Sequence, residues 1–335
     1  MKSIVRIIII MVLVAGLFAN IGFAAEMKKV LLLETSIITS SAPQILQGLE
    51  QAGFVDQKNM TYSTIRVSAT DDVTQLVAQV EEAAPDVVVA NIETGNALDV
   101  LKDLSIPVIT GMNVDRYVTA EGVPTANITG VYTVLPDMVY NSYKFLQKIA
   151  PLKQGQSVVY LDNPEFQLLS KDTVMAGLQR LGIPVKAVVD ATVYEDWQQA
   201  ILKYSDDPEV GWILRASPSK KRDGSRVNMV TELYLWQQEN LKKPTVTYWD
   251  IAVQMGTLCA FGVDINESNA QTGRMAARVL QGEPIQSIKA EYPQKVSISL
   301  NRKTATKLGI VFSMDVLNLA NVIYDDYEGK QVIRK

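Results

Sequence analysis

Short apolar runs alternate with amphipathic stretches along almost the whole chain. Residues 30–33 (VLLL) are uniformly aliphatic. They predict a strand covered on both faces, because a strand buried on one side only would carry polar residues at every second position. A loop of mostly small and hydroxyl-bearing residues follows, from Glu34 to Ser41. A helix then opens. Ser41 and Gln44 stand at capping-box spacing, Pro43 fits the first turn, and Ile45, Leu46 and Leu49 share a face. Gly53 stops it. The pattern recurs. Residues 60–67 alternate as a strand, Asp71-Asp72 starts a helix running through Val80, and 87–90 (VVVA) is another buried strand. A short helix at 97–101 and strands at 107–110 and 128–131 follow.

The same grammar then restarts. Helices are expected at 139–149, 168–181, 197–203 and 227–240, and strands at 157–161, 185–189, 210–214 and 245–248. The last part carries a strand at 258–264, a helix at 269–280 stopped by Gly282, a strand at 296–300, and a final helix at 314–320. Strands and helices alternating at this spacing predict βαβ units with parallel sheets, and two rounds predict two Rossmann-like α/β lobes.

The first 24 residues belong to neither lobe. Lys2 and Arg6 form a basic start, residues 7–18 are continuously apolar, and Gly22-Phe23-Ala24 suits cleavage after Ala24. This is the pattern of a secretory signal peptide at residues 1–24. An uncleaved anchor is the rival reading, since the apolar stretch extends back to Ile4. No Cys follows the apolar region, so a lipid attachment site is not expected, and the periplasm is the expected location.

Composition narrows the chemistry. With 335 residues, 47% of them hydrophobic, the chain can fill two cores. Its single cysteine, Cys259, lies in an apolar run, which predicts a buried inert thiol and no internal disulfide. There is no histidine. The commonest general base and the usual zinc ligand are therefore missing. No catalytic residue, metal site or cofactor is expected, and an exported enzyme built on paired carboxylates is the one enzymatic alternative. The formal charge of −4, two units more negative without Lys2 and Arg6, argues against nucleic acid as a partner. The basic run Lys220-Lys221-Arg222 is followed at once by Asp223 and reads as a solvated loop.

The order of motifs resembles a known family. Gly262-Val263-Asp264 leads to a helix containing Gly273-Arg274 and ending at Gly282, followed by a proline, an alternating strand, Asn301, Lys303-Thr304-Ala305 and Leu308-Gly309. Gly48-Leu49, Gly53-Phe54-Val55, Lys58-Asn59, Pro85-Asp86-Val87, Ile106-Pro107-Val108, Asn127-Ile128-Thr129-Gly130 and Asn163-Pro164 complete it. This resembles the ABC-transporter substrate-binding proteins related to tryptophan- and tyrosine-binding proteins, over residues 28–322. The resemblance implies a type I periplasmic-binding-protein fold: two lobes joined by hinge crossovers, with a ligand cleft between them. Crossovers would fall near Thr133, Asp264 and Tyr292. One lobe would then be 26–133 plus 264–291, the other 134–263 plus 292–335. It also implies a monomeric receptor that binds a small solute, an amino acid or related organic anion or zwitterion, and meets an ABC permease. A sensing module for a membrane histidine kinase or chemoreceptor has the same fold, so sequence does not separate the two uses.

Ligands of open parallel sheets sit at the carboxyl ends of the strands. That rule selects Ser36, Ser40, Ser41, Glu93, Thr94, Asn113 and Asp115 in the first lobe, and Asp162, Asn163, Arg215, Ser217, Trp249 and Asp250 in the second. Asp264 stands at a crossover. The helix starts at Ser41 and Thr94 could receive a ligand carboxylate, or Arg215 could clamp it. Asp115, Asp250 or Asp264 would pair with an ammonium, and Trp249 would form an apolar or cation–π wall. Each has a plainer reading: Ser41 as a cap, Asp115 and Asp162 as turn residues, Arg215 as the partner of a neighbouring carboxylate. Two departures from the family stand out. The loop 36–41 lacks an acid, and the loop after residue 214 begins with Arg215 rather than an uncharged residue.

Overall fold

The computed structural model describes residues 27–35, 40–67, 73–92, 95–165 and 169–335. The predicted signal peptide, the Asp71-Asp72 helix start, Ser36, Glu93 and Thr94 lie outside these residues. The chain forms two compact units. The first comprises the chain up to Tyr132 together with Asn269–Glu291, and the second comprises Thr133–Ser268 and Tyr292–Lys335. No helix among the described residues is long and apolar enough to cross a membrane.

The first unit is built on β1 (Lys28–Thr35), β2 (Met60–Val67), β3 (Val87–Asn91), β4 (Val108–Thr110) and β5 (Ile128–Gly130), all parallel, in the order β2-β1-β3-β4-β5. Helices α1 (Ala42–Gln51), α2 (Val73–Ala83) and α3 (Gly95–Leu101) connect them. The aliphatic run in β1 is explained by what covers it. Val30 and Leu32 pack with Ile45 and Leu49 of α1, while Leu31 and Leu33 pack on the opposite layer with Leu76 and Val80 of α2. Period-two alternation is present, but both faces are apolar.

In the second unit, β6 (Ser157–Asp162), β7 (Val185–Asp190) and β8 (Val210–Arg215) form a parallel sheet in the order β7-β6-β8. Around them are α4 (Met138–Ile149), α5 (Lys171–Arg180), α6 (Tyr194–Ser205) and α7 (Leu235–Asn240). A second sheet contains β9 (Val246–Thr247), β10 (Cys259–Val263), β11 (Val296–Asn301), β12 (Val322–Tyr324) and β13 (Val332–Arg334). Here β10–β11 and β12–β13 are antiparallel. The Ile213 amide donates to the Pro244 carbonyl at 3.2 Å, tying β8 to the segment that enters β9. Helices α8 (Asp250–Gln254), α9 (Ile265–Leu280), α10 (Arg302–Lys307) and α11 (Met314–Leu319) complete the chain.

Several elements differ from expectation. The helix expected at 227–240 is composite: a π-helical turn, Met229–Tyr234, precedes α7. Asn228 caps that turn, its side chain accepting from the Val230 and Thr231 amides at 3.0 and 2.9 Å. α9 starts at Ile265 rather than 269, because Asp264 caps it by accepting from the Glu267 amide at 3.1 Å. β12 and β13 are three residues each, too short to give an alternation signal.

Two glycines set the helix contact of the first unit. A Cβ on Gly48 of α1 would lie 1.9 Å from the Ala270 carbonyl oxygen, and one on Gly273 of α9 would lie 2.1 Å from the Ile45 oxygen. The two backbones approach too closely for any side chain at either position.

Candidate functional site

In the first unit the carboxyl end of β1 delivers Glu34 to the start of α1. Its Oε1 accepts from the Ser41 amide at 2.6 Å, the Ser41 hydroxyl at 2.9 Å and the Ala42 amide at 2.8 Å, and Ser40 donates to the carboxylate at 3.0 Å. Glu34 is only 6% exposed. The expected capping box is therefore corrected: Ser41 makes no side-chain cap bond, and the orphan amides of α1 are held by Glu34. The reason is electrostatic. A helix start favours an anion, and the nearest one is the protein's own carboxylate. Ser40 and Ser41, both selected as ligand residues, bond Glu34 in this structure.

Asn113 takes a left-handed conformation, φ 57°, and starts a 3-10 turn over Val114–Tyr117. Asparagine tolerates that conformation better than most residues. Asp115 is exposed in this turn. The turn is pinned from the other side, where Tyr117 donates to Asp99 at 2.8 Å. That bond, ahead of the charge on Arg116, holds the Asp99 carboxyl below its ordinary range. Two polar residues that the strand-end rule passed over meet near Gly111. Asn91, the last residue of β3, donates to Asn269 of α9 at 3.1 Å. A Cβ on Gly111 would lie 3.5 Å from Asn91 Oδ1 and 3.4 Å from Thr272 Oγ1. The position of Asn91 directly after the VVVA run was the available signal.

In the second unit Asn163 is 2% exposed and fully engaged. Its amide donates to the Ser217 carbonyl at 2.6 Å and the Ser219 hydroxyl at 2.7 Å, and its carbonyl accepts from the Glu165 amide at 3.0 Å. It locks the loop after β6 to the loop after β8. Asp162 ends β6 and faces Tyr160, whose phenol is pushed up by burial first and by Asp162 second.

Asp250 also differs from expectation. One carboxylate oxygen accepts from the Ser299 hydroxyl and the other from the Tyr324 hydroxyl at 2.6 Å. It ties α8 to β11 and β12, so both oxygens are taken. Asp264 serves as the cap of α9 described above. Both oxygens of Asp250 are bonded, whereas Asp264 uses one oxygen for the Glu267 amide. Trp249 precedes α8 in an extended conformation and is half-buried.

Arg215 is the unusual residue. β8 alternates, with Trp212 and Leu214 in one core layer and Ile213 in the other, so Arg215 falls on the Ile213 side. Its guanidinium lies 5.7 Å from the Trp197 ring and 5.6 Å from the Tyr234 ring. One Nη makes a 3.4 Å bond to Thr257 Oγ1, and the buried Nε has no partner. Among the described residues no carboxylate lies within ion-pairing distance. The expected neighbouring carboxylate is absent there. Burial pulls the guanidinium below its ordinary value, and Tyr234 opposes this. Cation–π contacts contribute about 0.5–2 kcal/mol each, whereas burying a charge costs several kcal/mol. The two rings offset only part of that cost.

Two concavities of the second unit lie elsewhere. One, of about 10 Å³, is lined by Gln237 and Thr245, whose Oε1 and Oγ1 are buried without partners. The other, of about 410 Å³, runs past Tyr194, Lys221, Glu232 and Trp236. Neither includes a residue selected from the sequence. Cys259 is buried, which pushes its thiol far up and makes it unreactive.

The comparisons with known proteins agree with this architecture. A model of ABC transporter substrate binding proteins matches residues 33–323. A conserved domain protein from Vibrio cholerae is similar in structure, with a TM-score of 0.69 at 19% identity, over 90% of this chain and 100% of that one. An ABC domain in complex with L-Trp from Streptococcus pneumoniae gives a TM-score of 0.66 at 18% identity, over 89% of this chain and 100% of that one. An open, ligand-free substrate binding protein with adhesive properties from Clostridium difficile gives 0.62 at 16%, over 86% and 97%. No curated protein matches the chain. The fold is that of type I periplasmic binding proteins, and with the match over residues 33–323 the chain belongs to the ABC transporter substrate-binding protein family.

Proposed function

We propose that this protein is an exported solute receptor of an ABC importer, taking a small amino acid, organic anion or zwitterion and passing it to a membrane permease. The observation that carries the reading is the family match, which spans both units. The chemistry at the strand ends supports it: Ser217, Trp249, Asp115 and Arg215 are side chains that recognise small charged solutes, and no histidine is present for acid–base work. The Streptococcus structure holds L-Trp, whereas others of the fold hold D-allose or myo-inositol. The amino acid class therefore rests on this chain's own charged residues.

Calorimetry against amino acids, organic acids, sugars and polyols tests it. At a hundredfold excess over its dissociation constant, the true ligand should raise folding stability by about 2.7 kcal/mol. Failure of every solute, or a response to neutral sugars alone, would overturn the reading.

A further inference from the structure

Three cations in the loop that follows β8 hold carboxylates of their own. Lys220 pairs with Glu165 at 2.6 Å, Lys221 with Glu232 at 2.6 Å and Arg222 with Asp196 at 2.6 Å. Arg215, at the carboxyl end of the strand itself, holds none among the described residues. The start of α1, another seat for an anion, already contains Glu34. We propose that Arg215 is the carboxylate clamp of this receptor, and that the solute it takes is a carboxylate.

The inference rests on the receptor reading above and narrows it to a ligand class. A guanidinium presents donors in a planar fork that matches a carboxylate. This one is held for the purpose. Its backbone neighbour is fixed by the Ala216 amide donating to the Leu161 carbonyl at 2.8 Å. Thr257 takes one Nη, and the Trp197 and Tyr234 rings flank the charge. The following loop is anchored by Asn163 through the Ser217 carbonyl. Arg215 as a residue is partly exposed. Lysine would not substitute, because its ammonium is a point charge without the fork.

The experiment uses benzoate as the probe and benzamide as its neutral counterpart, titrated into the full chain. Trp197, 5.7 Å from the guanidinium, reports by fluorescence. Benzoate should quench saturably and raise Tm, and benzamide should do neither. Arg215→Met should weaken benzoate roughly tenfold or more, with Arg215→Lys intermediate. A second measurement needs no variant: phenylglyoxal should modify Arg215, mapped by mass spectrometry, and benzoate should block it. An equal response to benzoate and benzamide, or unchanged affinity in Arg215→Met, overturns the assignment. If an organic anion or zwitterion binds tightly and Arg215→Met leaves its affinity intact, the clamp falls while the receptor reading stands. If no solute of any class binds, both fall.

Discussion

At the scale of single residues, the decisive feature is which charges are already satisfied. Glu34 is committed to the start of α1, Asp250 to Ser299 and Tyr324, and Asn163 to the loop after β8. Glu34→Gln should cost about 1–2 kcal/mol in urea unfolding, from the lost anion at a helix start and weakened acceptance of four donors. An unchanged midpoint would make that carboxylate a spectator. Asn163→Ala should cost about 1–3 kcal/mol, because the part-buried Ser217 carbonyl and the Glu165 amide lose their partner. The strand-end rule located Arg215 and Asn163 in the sequence. It could not tell that one is unpaired and the other locked, since partners such as Ser219 and Thr257 lie 56 and 42 residues away. Glu34 directly follows the apolar run 30–33, near the end of β1, a position the rule covers.

At the scale of elements, the apolar runs announced β1 and β3 well because both faces of these strands are covered. Residues 60–67 coincide with β2, and 30–33 lie within β1. Short or context-made elements were less legible. A strand was expected at 245–248, and β9 has only two residues there, paired with β10. The π-helical turn before α7 leaves no signature in a 3.6-residue period. The contact of α1 with α9 depends on Gly48 and Gly273, and Gly48→Ala or Gly273→Ala should destabilise by about 1–3 kcal/mol or abolish folding. A native melting temperature in either variant would show that the helices can part without cost.

For the whole molecule, the buried phenols concentrate in the second unit. Tyr143 is pushed well above its ordinary value and Tyr248 to about 12, each chiefly by burial, and their hydroxyls lie 3.5 Å apart. A phenol whose folded value is raised contributes stability that is present below its ordinary value of 10.0 and disappears as pH rises through the folded value. Between pH 10 and about 12, tyrosinate absorbance should therefore grow together with loss of near-UV ellipticity. Complete ionisation with native ellipticity intact would contradict this. The sequence alone determined the class: βαβ periodicity requires parallel sheets, the aliphatic strands require helices on both faces, and the missing histidine turns the chemistry away from common catalysis. Tertiary structure decided what the strand ends are for. Whether a carboxylate caps a helix, ties a sheet or stays open depends on distant donors that come within 3 Å only on folding. A charge such as Arg215 becomes costly, and so informative, only once Trp197 and Tyr234 have taken it out of water.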